Sequence, residues 1–171
     1  RDAQESRGLG DVYKRQIDNS YEVASTELIE RVQNIIDPDT DINNWGQEFG
    51  LPQLEDYKGK GYGLAPIDHD VLVQSVESVE VNIEVYPALL QGFTIADVQE
   101  AISKKINQYI NEKKAAWKNV RKIVIKKNEI IALLLDINGV DDIVMVKVNN
   151  ATRVDLEYNQ IPTINSIEVK L

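Results

Sequence analysis

The sequence contains no cysteine. Disulfide bonds, thiolate-held zinc and thiol nucleophiles are thereby excluded. No uninterrupted apolar run approaches the roughly 20 residues needed to span a bilayer. No segment combines the basic start, apolar centre and small-residue cleavage site of a secretory signal. Basic residues are in the minority, 19 Lys and Arg against 28 Asp and Glu, for a net charge of -9. A nucleic-acid footprint needs clustered Lys and Arg, and docking on anionic lipid needs the same sign of charge, so this balance argues against both partners.

What is present is ordinary globular material: 171 residues, 43% hydrophobic and 27% charged. That length and composition can bury a core and suit one domain or two small ones. Residues 1–16, RDAQESRGLGDVYKRQ, show neither helical nor strand periodicity and no leading Met. They read as a translated adapter or assembly remnant, or else a disordered arm, and are set outside the fold. On that reading the chain is a fragment whose upstream part is missing. The remaining residues keep the acidic balance.

Ser25 caps an amphipathic helix whose stripe is Leu28, Ile29, Val32, Ile35 and Ile36, and Asp37-Pro38 ends it, because the residue before proline is pushed out of the helical region. Asp39 to Pro66 has little periodicity but holds five glycines and Trp45, Phe49, Leu51, Leu54, Tyr57 and Tyr62. Apolar groups in so long a loop need burial, against a partner or the domain's own flank. Asp70–Ser75 and Ser78–Tyr86 read as strands, the second with Val79, Val81, Ile83 and Val85 in strict alternation. Thr94, with Asp97 three residues on, opens a helix to Lys114 carrying Ile95, Val98, Ile102, Ile106, Tyr109 and Ile110 at helical spacing. A short strand is expected over Val120–Ile125. Asn128 is expected to cap a helix over Glu129–Ile137, which Gly139 ends. Strands follow at Asp142–Val148 and Ser166–Leu171. Tyr158–Thr163 reads as edge or loop, since Pro162 cannot donate to a ladder. The fold class is α+β, with small mixed or antiparallel sheets, helices packed on one face, and two small subdomains. The division expected is 17–76, a helix with a long Gly-rich loop and a strand that end a middle domain, and 77–171, a C-terminal α+β domain.

Three patterns carry chemistry. His69, between Asp68 and Asp70, has carboxylate neighbours suited to acid–base work, but neighbours on a strand point to opposite faces and no Gly-x-Ser-x-Gly elbow accompanies it. It reads as a surface histidine. Asp37, Asp39, Asp41 and Glu48 follow the spacing of a calcium loop, but Ile42 occupies the glycine position and no helix is expected after Glu48. A calcium- or glycan-binding non-catalytic module is the alternative reading this leaves. Lys104, Lys105, Lys113, Lys114, Lys118, Arg121, Lys122, Lys126 and Lys127 concentrate the positive charge in one stretch, read as a solvated face or a contact to an acidic neighbour. Gly59-Lys60-Gly61-Tyr62-Gly63 precedes no helix and lacks Gly-Lys-Ser/Thr, so it is no phosphate loop. No catalytic, cofactor-binding or metal-binding residue emerges, no cofactor is expected, and an enzyme is not the expected reading.

Glu27-Leu28-Ile29-Glu30-Arg31-Val32-Gln33-Asn34-Ile35-Ile36-Asp37-Pro38 resembles a helix and its "IDP" ending in the baseplate J-like proteins of contractile-tailed phages. Gly63-Leu64-Ala65-Pro66-Ile67 is similar to a "G-x-APIG" element of that family, with Asp68 replacing the last glycine. Asn138-Gly139-Val140-Asp141-Asp142-Ile143 resembles its "GV-x-D" step, and Ile161-Pro162 precedes the last strand as there. The resemblance covers Tyr21 to Leu171, with the loop 39–62 as an insertion. It implies a structural subunit of a tail baseplate wedge in the virion, assembled in the host cytoplasm and forming a ring with itself and with other wedge and tail subunits. It brings no catalytic residues, nucleic acid or membrane.

Overall fold

The computed structural model describes residues 22–38, 57–120 and 122–170 with the backbone of 12–16; of Lys118 only the backbone is described. The chain divides into two compact units, Arg1–Val76 and Glu77–Leu171.

In the first unit, helix α1 runs Thr26–Ile36 after the Ser25 N-cap, whose Oγ accepts the Leu28 N–H at 3.2 Å. Strand β1, Val12–Gln16, pairs in parallel with β2, Val71–Ser75. These five residues belong to the segment that the sequence reading set outside the fold. The core is small: Ala65, Val71 and Val73, with Ile29, Val32 and Ile36 packed against them. Ile35, assigned to the apolar stripe, points outward at 48% exposure. The inward position in that stretch is taken by Gln33, which is buried.

The second unit is built on β3, Glu77–Leu89, the central strand of a sheet ordered β5-β3-β7. Strand β5, Val140–Val148, lies antiparallel to β3; β7, Gln160–Val169, lies parallel to it. The alternation of β3 works as expected: Val81, Ile83 and Val85 are fully buried. Helix α2, Ile95–Ala116, buries Val98, Ile102, Ile106, Tyr109 and Ile110. Helix α3, Lys127–Leu134, adds Ile130 and Leu134 to the same apolar cluster. The Thr94 N–H and hydroxyl both donate to Asp97 Oδ2, at 2.8 and 2.7 Å, and the hydroxyl's bond first, then the N–H's, holds the Asp97 carboxyl below its ordinary range. A short antiparallel pair, β4 (Val124–Lys126) with β6 (Arg153–Asp155), completes the unit. This is an α+β fold of small mixed and antiparallel sheets.

Four local readings are corrected. The last strand begins at Gln160 rather than Ser166, and Pro162 sits inside it opposite Val79. The ladder tolerates a proline because β7 is an edge strand. Helix α3 starts one residue before Asn128 and stops at Leu134, and its N-cap position, Lys126, makes no side-chain cap bond. The β4 strand covers only Val124–Lys126, after a 3-10 turn at Trp117–Asn119. The strand β6, unforeseen, supplies its partner.

Candidate assembly surfaces

The first unit is organised by two polar side chains near the end of α1. Asp37 is 1% exposed. Its Oδ1 accepts the Gly59 N–H at 2.8 Å and its Oδ2 accepts the Val71 N–H at 2.9 Å. The Gln33 carboxamide donates to the Val71 carbonyl at 2.8 Å and accepts from the Val73 N–H at 2.8 Å. It therefore makes the bonds a neighbouring strand would make to β2. The same Nε2 reaches the Asp37 carbonyl at 2.5 Å. Beside this, the last carbonyls of α1, which have no partner within a helix, receive the GLAPI segment. Leu64 N–H donates to Ile35 at 3.0 Å, and Ala65 N–H donates to Ile36 at 2.7 Å. Gly63 fits there because a Cβ would come within 2.4 Å of the Ile36 oxygen. The IDP ending and the GLAPI element thus form one clasp.

Asp68 adopts φ +65°, so the turn keeps a glycine-type conformation without glycine. Aspartate is among the few residues that enter this region with tolerable cost. His69 is exposed, with its Nδ1 3.2 Å from the Ile67 carbonyl oxygen. Of the calcium-loop residues, Asp39, Asp41 and Glu48 lie outside the described residues. Asp37 has both carboxylate oxygens engaged by backbone N–H groups. Among the described residues no three His, Asp or Glu side chains gather as a metal site. Of the loop's apolar groups, Tyr57 is buried and meets Tyr62 edge-on at 5.6 Å, whereas Leu64 stands 78% exposed.

In the second unit the face of the sheet opposite the helices is polar. Glu84 receives Lys170 at 3.3 Å, Lys147 at 3.6 Å and the Tyr86 hydroxyl at 3.2 Å. The Lys170 bond is the main cause of a Glu84 carboxyl held below its ordinary range. Asn82, Glu84, Asn149, Asn150, Ser166 and Glu168 line an open depression on this face. Asn149 and Asn150 both take positive φ, 49° and 59°, as a two-residue hairpin turn requires. The Asn149 carboxamide accepts from Asn82 N–H at 2.7 Å and donates to the Glu80 carbonyl at 2.9 Å. This is the Gln33 arrangement repeated: an amide side chain stands in for a strand where β5 has ended.

Among the described residues, several cations of the basic stretch are already engaged or buried. Lys113 and Lys126 both converge on Glu129, at 2.7 and 3.5 Å, and Lys122 lies 3.8 Å from Asp155. Lys114 is buried. The buried Tyr109 hydroxyl donates to Glu129 at 2.7 Å, tying α2 to α3. Burial first, and the Glu129 carboxylate second, push the Tyr109 hydroxyl far above its ordinary pKa. The Lys113 bond chiefly holds the Glu129 carboxyl down.

The sheet edges are interrupted. Strand β5 shifts register twice against β3, and its Ile143 N–H is taken by Asp142 Oδ1 at 2.7 Å. Strand β7 carries Pro162 and a shift beside Asn165. Such interruptions discourage pairing with foreign strands.

A family model described as the baseplate J-like protein C-terminal domain matches residues 81–170, more than half of the chain. The chain belongs to this family. The match begins inside β3 and ends one residue after β7, so it covers nearly all of the second unit. It includes the Asn138–Ile143 step and Ile161-Pro162; the IDP and GLAPI elements lie before it. No curated protein matches the chain. No helix among the described residues is long and apolar enough to cross a membrane. Sequence reasoning missed Gln33 and Asn149. The first had a signal, a polar residue four positions from Ile29 on the inward face of α1.

Proposed function

We propose that the protein is a structural, non-catalytic subunit of a contractile phage or prophage tail baseplate. It joins the wedge through protein–protein contacts with other wedge and tail subunits, and with further copies of itself in a ring. The observation that carries this reading is the family match over the second unit. The interrupted sheet edges support it, because they leave association to defined surfaces rather than open-ended strand addition. In this role the protein resides in the virion, is assembled in the host cytoplasm, and engages neither nucleic acid nor membrane. The reading of the first unit, ending at Val76, as the close of a middle domain and of 77–171 as a C-terminal domain belongs to the same proposal.

The test is immunogold electron microscopy of purified particles from a producing strain, with antibody raised against the full chain. Label at the distal end of the tail, beneath the sheath, is the expected result. Label along the sheath or on the head, or particles that never label, would remove the reading.

A further inference from the structure

One end of the second unit combines exposed apolar side chains with several carboxylates. Leu90, Phe93 and Leu135 are 44%, 37% and 45% exposed. Single exposed apolar residues are normal on a protein surface, but two of these are stitched to the same turn. Leu90 N–H donates to the Gly139 carbonyl at 3.0 Å, and Phe93 N–H donates to the Leu90 carbonyl at 3.1 Å. The Phe93 ring lies on Gly139 so closely that a Cβ there would come within 2.4 Å of it. Leu135 sits just past the end of α3, four residues before Gly139 in the same connection.

Carboxylates predominate at this junction, with Lys147, over the Tyr86 ring at 5.9 Å, at its margin. Residues 86–103 and 130–146, the segments that meet there, contain Asp97, Glu100, Asp136, Asp141 and Asp142 but no Lys, Arg or His. Asp136, Asp141 and Asp142 are exposed. Asp142 is held beside the patch by the pairing of β5 with Ala88. Most basic residues of the unit fall within 104–127, in and after α2, while Lys147, Arg153 and Lys170 lie elsewhere. At 1.5 Å per residue, Lys113 lies about 24 Å along the helix from Asp97. An apolar centre with a charged rim is the arrangement of a specific protein contact: the centre supplies affinity, and the rim selects the partner and speeds encounter.

We propose that Leu90, Phe93 and Leu135, rimmed by Asp136, Asp141 and Asp142, form a docking patch for a cationic partner segment, one that presents an apolar side chain between Lys or Arg residues. The chain's own basic stretch is a poor occupant. Lys113 and Lys126 already share Glu129, Lys122 lies beside Asp155, and Lys114 is buried. The occupant proposed is a different protein; a second copy, which would have to present Lys104, Lys105 or Lys127, is the outcome that the self-association test below detects. This inference rests on the assembly reading above.

The test is a titration of the full, nitrogen-15-labelled chain followed by NMR amide shifts. The probes are a synthetic amphipathic Lys/Leu helix, its Glu/Leu counterpart, and a Lys/Gly peptide of equal charge. Shifts confined to residues 90–94 and 135–142 with the Lys/Leu peptide are expected. The other two peptides should bind about tenfold more weakly or worse. The triple variant Asp136→Asn, Asp141→Asn, Asp142→Asn should weaken Lys/Leu binding about tenfold, and added salt should weaken the parent's binding. Leu135→Ser, at a 45% exposed position outside the apolar core cluster, should weaken it as well. Shifts centred on the first unit, equal binding of the Glu/Leu peptide, or an unaltered triple variant would each overturn the proposal. So would concentration-dependent self-association that the triple variant abolishes, since the occupant would then be a second copy. Distal-tail labelling without peptide binding removes the patch alone, whereas peptide binding without such labelling removes the baseplate role alone.

Discussion

The two units of this chain are held together by different physics. In Glu77–Leu171, a thirteen-residue strand with three fully buried β-branched residues packs under two helices, and the cluster is apolar almost throughout. In the first unit the apolar cluster is a handful of small side chains. There the decisive contacts are Asp37, Gln33 and the GLAPI backbone, which link α1, the turn at Gly59 and β2. Hydrophobic burial is non-directional and scales with area. Hydrogen bonds to buried backbone groups are directional, and their loss is costly because an unsatisfied partner remains. The apolar unit should therefore tolerate conservative changes of shape, and the clasped unit should tolerate almost none at its two polar residues.

The largest expected effect is in the apolar unit. Ile106→Ala should lower its stability by about 2–5 kcal/mol, through lost burial and the cavity left behind; denaturant unfolding checks it. Ile106→Val, which keeps most of the volume, should cost only about 0.5–1.5 kcal/mol. Next comes Asp37→Ala, which strips acceptors from the N–H groups of Gly59 and Val71. At about 1–3 kcal/mol for a buried donor left unpaired, here chiefly the Val71 N–H because the Gly59 bond is only part-buried, it should open the first unit locally. Equal opening of both units would break the contrast.

A smaller effect is expected at Asp68. Asp68→Val should cost about 1–2 kcal/mol, because φ +65° is strained for a residue with a Cβ and worse for a branched one. Asp68→Gly should change stability by less than about 1 kcal/mol, relief of strain being offset by a freer unfolded chain. The thermal midpoints of the two variants check this.

The smallest effect concerns Glu129. Its carboxyl titrates below the ordinary value in the folded state, chiefly because of Lys113. The stability it contributes is therefore present above the unfolded carboxylate pKa of about 4.3 and is lost as pH falls through the lower folded value. For so exposed a pair the contribution should be at most about 1 kcal/mol. Glu129→Gln should flatten the decline in melting temperature between about pH 5 and pH 3.

Much of the apolar unit was legible because periodicity reports burial directly. Val79 to Val85 and Ile95 to Ile110 announce a strand and a helix whatever lies around them. What periodicity could not report was partnership. Strands β4 and β6 are three residues each and become strands only by finding one another. Pro162 left edge strand and loop both open, and only the tertiary position of β7 at the sheet edge decides between them. The clasp was legible as a resemblance, in Ile36-Asp37-Pro38 and Gly63-Leu64-Ala65-Pro66, but not as geometry. Nothing local tells that Asp37 bonds to residues 22 and 34 positions away. Spacing instead offered Asp37 as the first ligand of a calcium loop. The amides of Gln33 and Asn149 escaped for the same reason: each replaces a strand whose absence is a tertiary fact.

The most direct measurement is amide hydrogen exchange, read by mass spectrometry on the parent chain and on Asp37→Asn. Asparagine keeps one acceptor oxygen but presents a donor to the other N–H, so only the clasp is altered. The expected result is a loss of protection at α1, Gly59 and β2, with β3 and α2 of the second unit exchanging as slowly as in the parent. Unchanged protection at α1 and β2, or equal loss in β3 and α2, would contradict the view that a polar clasp holds one unit and an apolar core the other.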